Sequence, residues 1–196
     1  MPKTLDDAGL DLIFRQARSY NGYTNEPVTE DQMRAIWDLA KMGPTSANQS
    51  PARIVWCVSD EAKAKLAALA SEANAAKILQ APVTAIIGMD HEFYEKLPKL
   101  FPHADARAWF VGNQPLIETS AFRNSTLQGA YFIIAARALG LDTGPMSGFN
   151  NAAVDEAFFA GTPVKSNFIC TLGHGDPATI FNRSPRLDFE EANLIA

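Results

Sequence analysis

The chain has 196 residues, 47% of them hydrophobic, enough for a sizeable core in one domain spanning 1–196. Its 17 Lys and Arg against 22 Asp and Glu leave a formal charge of −5, which argues against nucleic acid or an anionic membrane surface as the main partner but permits a local basic pocket for a small phosphate. The longest apolar run, Ala130 to Ala136, is far too short for a membrane span, and "MPKTLDDAGL" lacks the apolar core of a secretion signal, so a soluble cytoplasmic protein is expected.

In chain order, "TLDDAGLDLIFRQARS" opens with Thr4 and Asp7 in capping-box spacing and places Leu10, Ile13, Phe14 and Ala17 on one helical face. A second helix starts at Thr29, with Gln32 completing a capping box and Val28 and Met33 set for a hydrophobic staple. Its stripe is Met33, Ile36, Trp37 and Ala40, and Gly43–Pro44 ends it. "RIVWCVS", Arg53 to Ser59, reads as a strand. Ser59 then caps one long helix to about Leu79, and "APVTAIIGM" (Ala81 to Met89) is a second strand. The prolines and aromatics of "DHEFYEKLPKLFPHADARAWFVGNQP" mark an irregular excursion of the kind found over a site. A mostly buried helix runs from about Thr119 to Leu139 and stops at Gly140. "NAAVDEAFFAG" is a short helix and "SNFICTLG" a further strand. The pattern is α+β, strands covered by several helices. Cys57 and Cys170, inside apolar runs, are expected as buried thiols in a reducing compartment.

Nucleotide-cradle glycine motifs, a hydrolase triad motif and metal-ligand spacings are missing, so no metal is expected. Four polar clusters remain: "ARSYNGY", "GPTSANQSPAR", "LDTGPMSGFN" and "FNRSPRLDF". Singly, each has a plain explanation as turns or solvated charge. Together they offer three kinds of chemistry. Arg18, Arg183 and Arg186 suit a phosphate. Thr45, Ser46 and Asn48 suit a polyol. The small residues of "GPMSGF" let backbone N–H groups approach a flat ring edge. Phosphate, polyol and ring are the parts of flavin mononucleotide.

Over essentially its whole length the sequence resembles the FMN-dependent nitroreductase family, and within it the RutE-type branch of malonic semialdehyde reductases of pyrimidine degradation. "WDLAKMGPTSANQSPARIV" resembles the family's helix and P-S-x-x-N-x-Q-P-W loop, and "ALGLDTGPMSGF" the segment beneath the flavin. "FYEKLPKLFPHADARAWF" and "AFRNSTLQ" resemble the branch. The resemblance implies a nitroreductase-like fold, a mixed, mostly antiparallel sheet covered by helices, in an intertwined homodimer. Arg18, Ser19 and Asn21 fall on the N-terminal phosphate motif, although Ala17 and Asn21 replace its outer basic residues. Arg186, and with it Arg183, match the C-terminal cation. Pro44, Thr45, Ser46 and Asn48 match the flavin-reaching loop, often given from the opposite subunit. Ser50-Pro51-Ala52 replaces its Gln-Pro-Trp. Pro145, Met146, Ser147 and Gly148 match the residues flanking the ring, with a backbone N–H near Ser147 directed at flavin N5.

The implied chemistry is ping-pong hydride transfer from NADH or NADPH through FMN to an acceptor, with no side-chain acid or base required. Malonic semialdehyde, reduced to 3-hydroxypropionate, is the acceptor the branch implies; nitroaromatics, quinones or enones, or FMN binding without turnover, are alternatives. A β-oxo acid needs a cation for its carboxylate, for which Arg53, Arg107 and Arg123 are candidates. Phe101, Trp109 and Phe110 are candidates for the pocket wall or plain core, and His103 for a proton donor, each with an ordinary structural role as the alternative.

Overall fold

The computed structural model describes residues 4–196; the first three residues lie outside it. The first helical segment differs from expectation. Asp6, not Thr4, caps it, accepting from the Gly9 N–H at 2.8 Å, and α1 (Asp7–Leu10) widens at once into a π turn over Asp11–Arg15. None of its residues is buried, and Phe14 stands exposed, because this chain lays nothing over that face. Two cations fill its open carbonyl end: Arg137 donates to Ile13 O, and Arg183 to Arg15 O and Ala17 O.

The second helix, α2 (Glu30–Ala40), carries the expected capping box, with Gln32 N–H donating to Thr29 Oγ1 and Thr29 N–H to Gln32 Oε1. Ile36 and Ala40 are buried, and Met33 packs into the same cluster as Val28. Strand β1 (Ala52–Cys57) follows. The single long helix expected after it is two, α3 (Asp60–Ala67) and α4 (Glu72–Gln80). The break falls where Ala70 bridges Phe149, Ser71 N–H donates to Gly148 O and Asn150 N–H donates to Leu69 O. Backbone committed to a neighbouring segment cannot also continue the helical ladder.

After β2 (Val83–Asp90) the aromatic excursion forms short 3₁₀ turns around α5 (Leu97–Leu100) and has a small core of its own. Phe93, Leu97, Ala106 and Phe110 pack with Ile117 and Ala121 of α6 (Gln114–Ala138). That helix starts five residues before the expected Thr119. Asn113 caps it, and Pro115 sits in its first turn, where a missing N–H costs nothing. Strand β3 (Asp142–Met146), α7 (Asn151–Phe159), β4 (Val164–Gly173) and a last turn, α8 (Phe189–Ala192), complete the order. The "LDTGPM" stretch, read from sequence only as a turn cluster, is thus a strand. It lies at one edge of the sheet, β1-β2-β4-β3, where Pro145 needs no ladder partner on its outer side.

All three pairings are antiparallel, with Cys57 opposite Thr84, Val83 opposite Leu172 and Met146 opposite Ile169. Alternation along β2 sends Ala85 and Ile87 to a cluster under α2 and α6, and Ile86 to one under α3, α4 and α7. Cys170 belongs to the first cluster and Cys57 to the second. Both are free and buried as expected, and burial pushes their thiols up to about 12 and about 11. No helix among the described residues is long and apolar enough to cross a membrane.

Candidate functional site

The first and last polar clusters meet. Arg18 donates to Phe181 O, Asn21 Nδ2 to Thr179 O at 2.9 Å, and Gly22 N–H to Thr179 Oγ1 at 3.0 Å, while Asp176 N–H donates to Gly22 O. Ser19 bridges to Thr143, and Tyr20 N–H donates to Thr143 O, so the N-terminal segment lies along the free edge of β3. The approach is close: a Cβ on Gly144 would stand 2.7 Å from Tyr20 O and 2.5 Å from Thr171 Oγ1. Glycine is required there by contact. Arg183, bonded to Ala17 O, is brought beside Arg18 through the backbone. Arg186 lies three residues on, its Nη1 turned to Ser184 O and Pro185 O. None of these three guanidinium groups has a carboxylate within ion-pair distance among the described residues, in a chain whose net charge is −5. Each keeps N–H donors not engaged within the protein. Nearby Asp142 is held above the usual carboxylate range, chiefly by burial, and accepts from Gly175 N–H at 2.9 Å.

At the other end of β3, Pro145, Met146 and Ser147 line a shallow groove of about 320 Å³ with Phe168 and with Thr126, Ala130 and Ile133 of α6. Gly148 fixes the far end. Its carbonyl accepts from Ser71 N–H and from Asn74 Nδ2 at 3.1 Å, and a Cβ in its place would meet Asn74 Nδ2 at 2.7 Å. The α3–α4 break therefore serves to hold the 145–148 segment.

Residues 44–52 form a strained, tightly tied loop. Ala47, Asn48 and Ser50 all have left-handed backbones, with φ of 47°, 50° and 43°, conformations that side chains disfavour and that persist where the surroundings dictate them. Thr45 Oγ1 accepts from Ser50 N–H, Ser46 N–H donates to Asn124 Oδ1 at 2.8 Å, and Asn48 Nδ2 donates to Leu100 O. The Ser46 and Asn48 side chains are exposed, and the Pro44 ring stands out beside them. None of these loop residues lines the groove beside Pro145.

The arginines proposed for a substrate carboxylate differ in their engagements. Arg53 reaches Asp90 Oδ2 at 2.6 Å and donates to Ser50 O and Ala52 O, which ties the loop to β2. Arg107 makes two bonds to Glu95, at 2.8 and 2.7 Å, which draw the Glu95 carboxyl below its usual range and close the excursion on itself. Arg123 is exposed on α6 and makes no hydrogen bond or ion pair among the described residues. His103 lies edge-on to Phe101, 5.5 Å between centroids, and Phe101 faces the exposed Trp109 at 6.1 Å. Phe110 is core, 4.9 Å from Phe93.

The sequence profile of the nitroreductase family matches residues 14–175. The chain belongs to the nitroreductase family. A Burkholderia lata protein provisionally named as an NADH dehydrogenase/NAD(P)H nitroreductase is 61% identical over 192 residues, 98% of each chain. A nitroreductase-type structure from Exiguobacterium sibiricum, in complex with FMN, superposes with a TM-score of 0.85 at 22% identity over 100% of both chains. An enone reductase of gut-bacterial fatty acid saturation, CLA-ER, superposes at 0.80 with 16% identity, covering 98% of this chain and 99% of its own. The expected α+β nitroreductase-like architecture is thus met. Two parts of the candidate site escaped sequence reasoning: the buried side chains of α6 beneath the loop, and the 69–71 clamp on Gly148. For the first, the signal was present as Ser120, Asn124 and Gln128 spaced by four. For the second, only Ser71 ahead of Glu72 hinted at a new helix start.

Proposed function

We propose that this nitroreductase-family chain is an FMN-dependent NAD(P)H oxidoreductase, working as a homodimer, that reduces malonic semialdehyde to 3-hydroxypropionate. The observation that carries the cofactor assignment is the pair Arg18 and Arg183, without carboxylate partners beside the N-terminal segment that Gly144 allows to lie against β3, with Arg186 following three residues after Arg183. These residues fit a phosphate: Arg18, Arg183 and Arg186 supply charge-assisted donors, with Ser19 and Asn21 alongside. The FMN bound in the Exiguobacterium neighbour supports the reading. Thr45, Ser46 and Asn48, next to Pro44, would hold the polyol chain, and the Pro145–Gly148 backbone the ring edge. FMN, when bound, supplies the two-electron exchange between nicotinamide and acceptor.

Homodimerisation is supported by apolar side chains the chain leaves uncovered. Leu194 and Ile195 are 90% and 85% exposed, and Phe122 and Leu127 project from the outer face of α6. A loop that misses the groove within its own chain fits a site completed across such an interface. For the acceptor, Arg123 is the candidate arginine that no carboxylate occupies, so it is assigned the semialdehyde carboxylate. Arg107 is the lesser candidate, since Glu95 must release it, and His103, exposed on the excursion, would donate the proton to the product alcohol.

A second reading, a broad nitroreductase or a quinone or enone reductase, is favoured by the apolar walls of the groove and by the names of the relatives. Purified protein decides between them. Flavin absorbance, bleached by NADH or NADPH and restored by an acceptor, marks a reductase; flavin that no nicotinamide bleaches marks a binder without turnover. A kcat/KM highest for malonic semialdehyde supports the proposal, and one highest for a quinone or nitroarene replaces it with the second reading.

A further inference from the structure

The buried side chains of "AFRNSTLQ" have no part in the assignments above, yet Asn124 and Gln128, with Ser120 just before the segment, supply the buried polar face of α6. Ser120, Asn124 and Gln128, each four residues apart, point to the same side of the helix. Ser120 Oγ donates to Gln49 Oε1 at 2.8 Å and Asn124 Nδ2 donates to the same oxygen at 3.0 Å. Asn124 Oδ1 accepts from Ser46 N–H at 2.8 Å, and Gln128 Oε1 accepts from Ala52 N–H at 2.8 Å. Gln49 and Asn124 are 2% and 1% exposed, so water cannot replace these bonds. Between the two anchored ends lie the three left-handed residues.

We infer that Asn124 is a positioning residue: with Gln49 it clamps the 46–52 backbone in its left-handed shape and so presents the loop's exposed side chains preformed to the cofactor. This rests on the reading that the loop faces FMN. Asn124 is suited to the task because both ends of its amide are engaged, the oxygen by the loop backbone and the nitrogen by Gln49 and Ser120 O. A carboxylate would lose the donor, and an aliphatic side chain both. Without the clamp, the preference of Ala47 for ordinary backbone angles turns the loop away.

The test titrates FMN into apoprotein, read by fluorescence quenching, for the wild type, Asn124→Ala, and Asn124→Ala combined with Ala47→Gly. Asn124→Ala is expected to weaken binding at least about tenfold. Glycine at 47, which adopts positive φ freely, is expected to recover most of that loss. Affinity within about twofold of wild type in Asn124→Ala, or no recovery in the double variant, overturns the inference. Amide hydrogen exchange of the wild-type apoprotein reads the clamp directly, whether or not the variants fold. Slow exchange at Ser46 and Ala52 supports it, and exchange as fast as in an open loop overturns it. A wild type that takes up no FMN defeats the cofactor reading instead, and the exchange arm still decides the clamp.

Discussion

Replacing Arg53 by alanine tests how the loop is tied to the sheet. Arg53 bonds Asp90 Oδ2 at 2.6 Å and the carbonyls of Ser50 and Ala52 at 3.0 and 2.8 Å. The Asp90 side chain is only 8% exposed, so its charge loses its partner in a place water barely reaches. Breaking a buried pair costs about 3–5 kcal/mol. The Arg53 side chain is 36% exposed, however, and solvent screening scales the expected loss to about 2–3 kcal/mol. For a chain of this length that lowers Tm by roughly 5–10 °C. Asp90→Asn in the Arg53→Ala background removes the stranded charge while an amide oxygen still accepts from Glu92 N–H, so about half the loss should return. Urea unfolding of the two single variants and the double variant measures the coupling. A single-variant loss below about 0.5 kcal/mol, or no recovery on neutralising Asp90, refutes the buried-pair reasoning.

Arg186→Ala should weaken FMN binding by roughly ten- to a hundredfold, as expected for one charge-assisted contact, with little change in Tm because the residue is exposed; unchanged flavin occupancy in equilibrium dialysis rejects its phosphate role. Arg123→Ala should raise KM about tenfold for malonic semialdehyde and leave a neutral quinone unaffected, and equal effects in steady-state assays point to structure instead. Gly144→Ala should destabilise by about 1–3 kcal/mol or more in denaturant unfolding, since the nearest atoms include the Tyr20 backbone, which cannot swing aside. Asp142 has a folded pKa raised chiefly by burial, so only between the unfolded and the raised value does the native state bind more proton than the unfolded chain, and stability falls as pH rises through that window. Asp142→Asn should therefore raise Tm at pH 7 to 8, with the gain shrinking as pH falls towards about 4; a gain independent of pH contradicts this.

Local signals carried much of the architecture. The Thr29–Gln32 capping box, the apolar strands around Cys57 and Cys170 and the stop at Gly140 depend on neighbours in sequence, and each appears where its residues place it. The failures were long-range. Nothing near Leu69 says that its carbonyl will take the Asn150 N–H and end a helix, and Pro145 reads as a turn until the strand beside it is known to lie at an edge. At the candidate site, residue types were legible but engagements were not. Arg53, Arg107 and Arg123 look alike in sequence, and only the fold gives Asp90 to the first and Glu95 to the second.

The two cysteines lie on opposite faces of one sheet, each sealed under helices and with its sulfur held in the poorly reactive protonated state. A thiol-specific dye added to the native protein therefore has nothing to label until a layer lifts. The rate at which it does so reports, without any engineered probe, how often each side of the molecule opens.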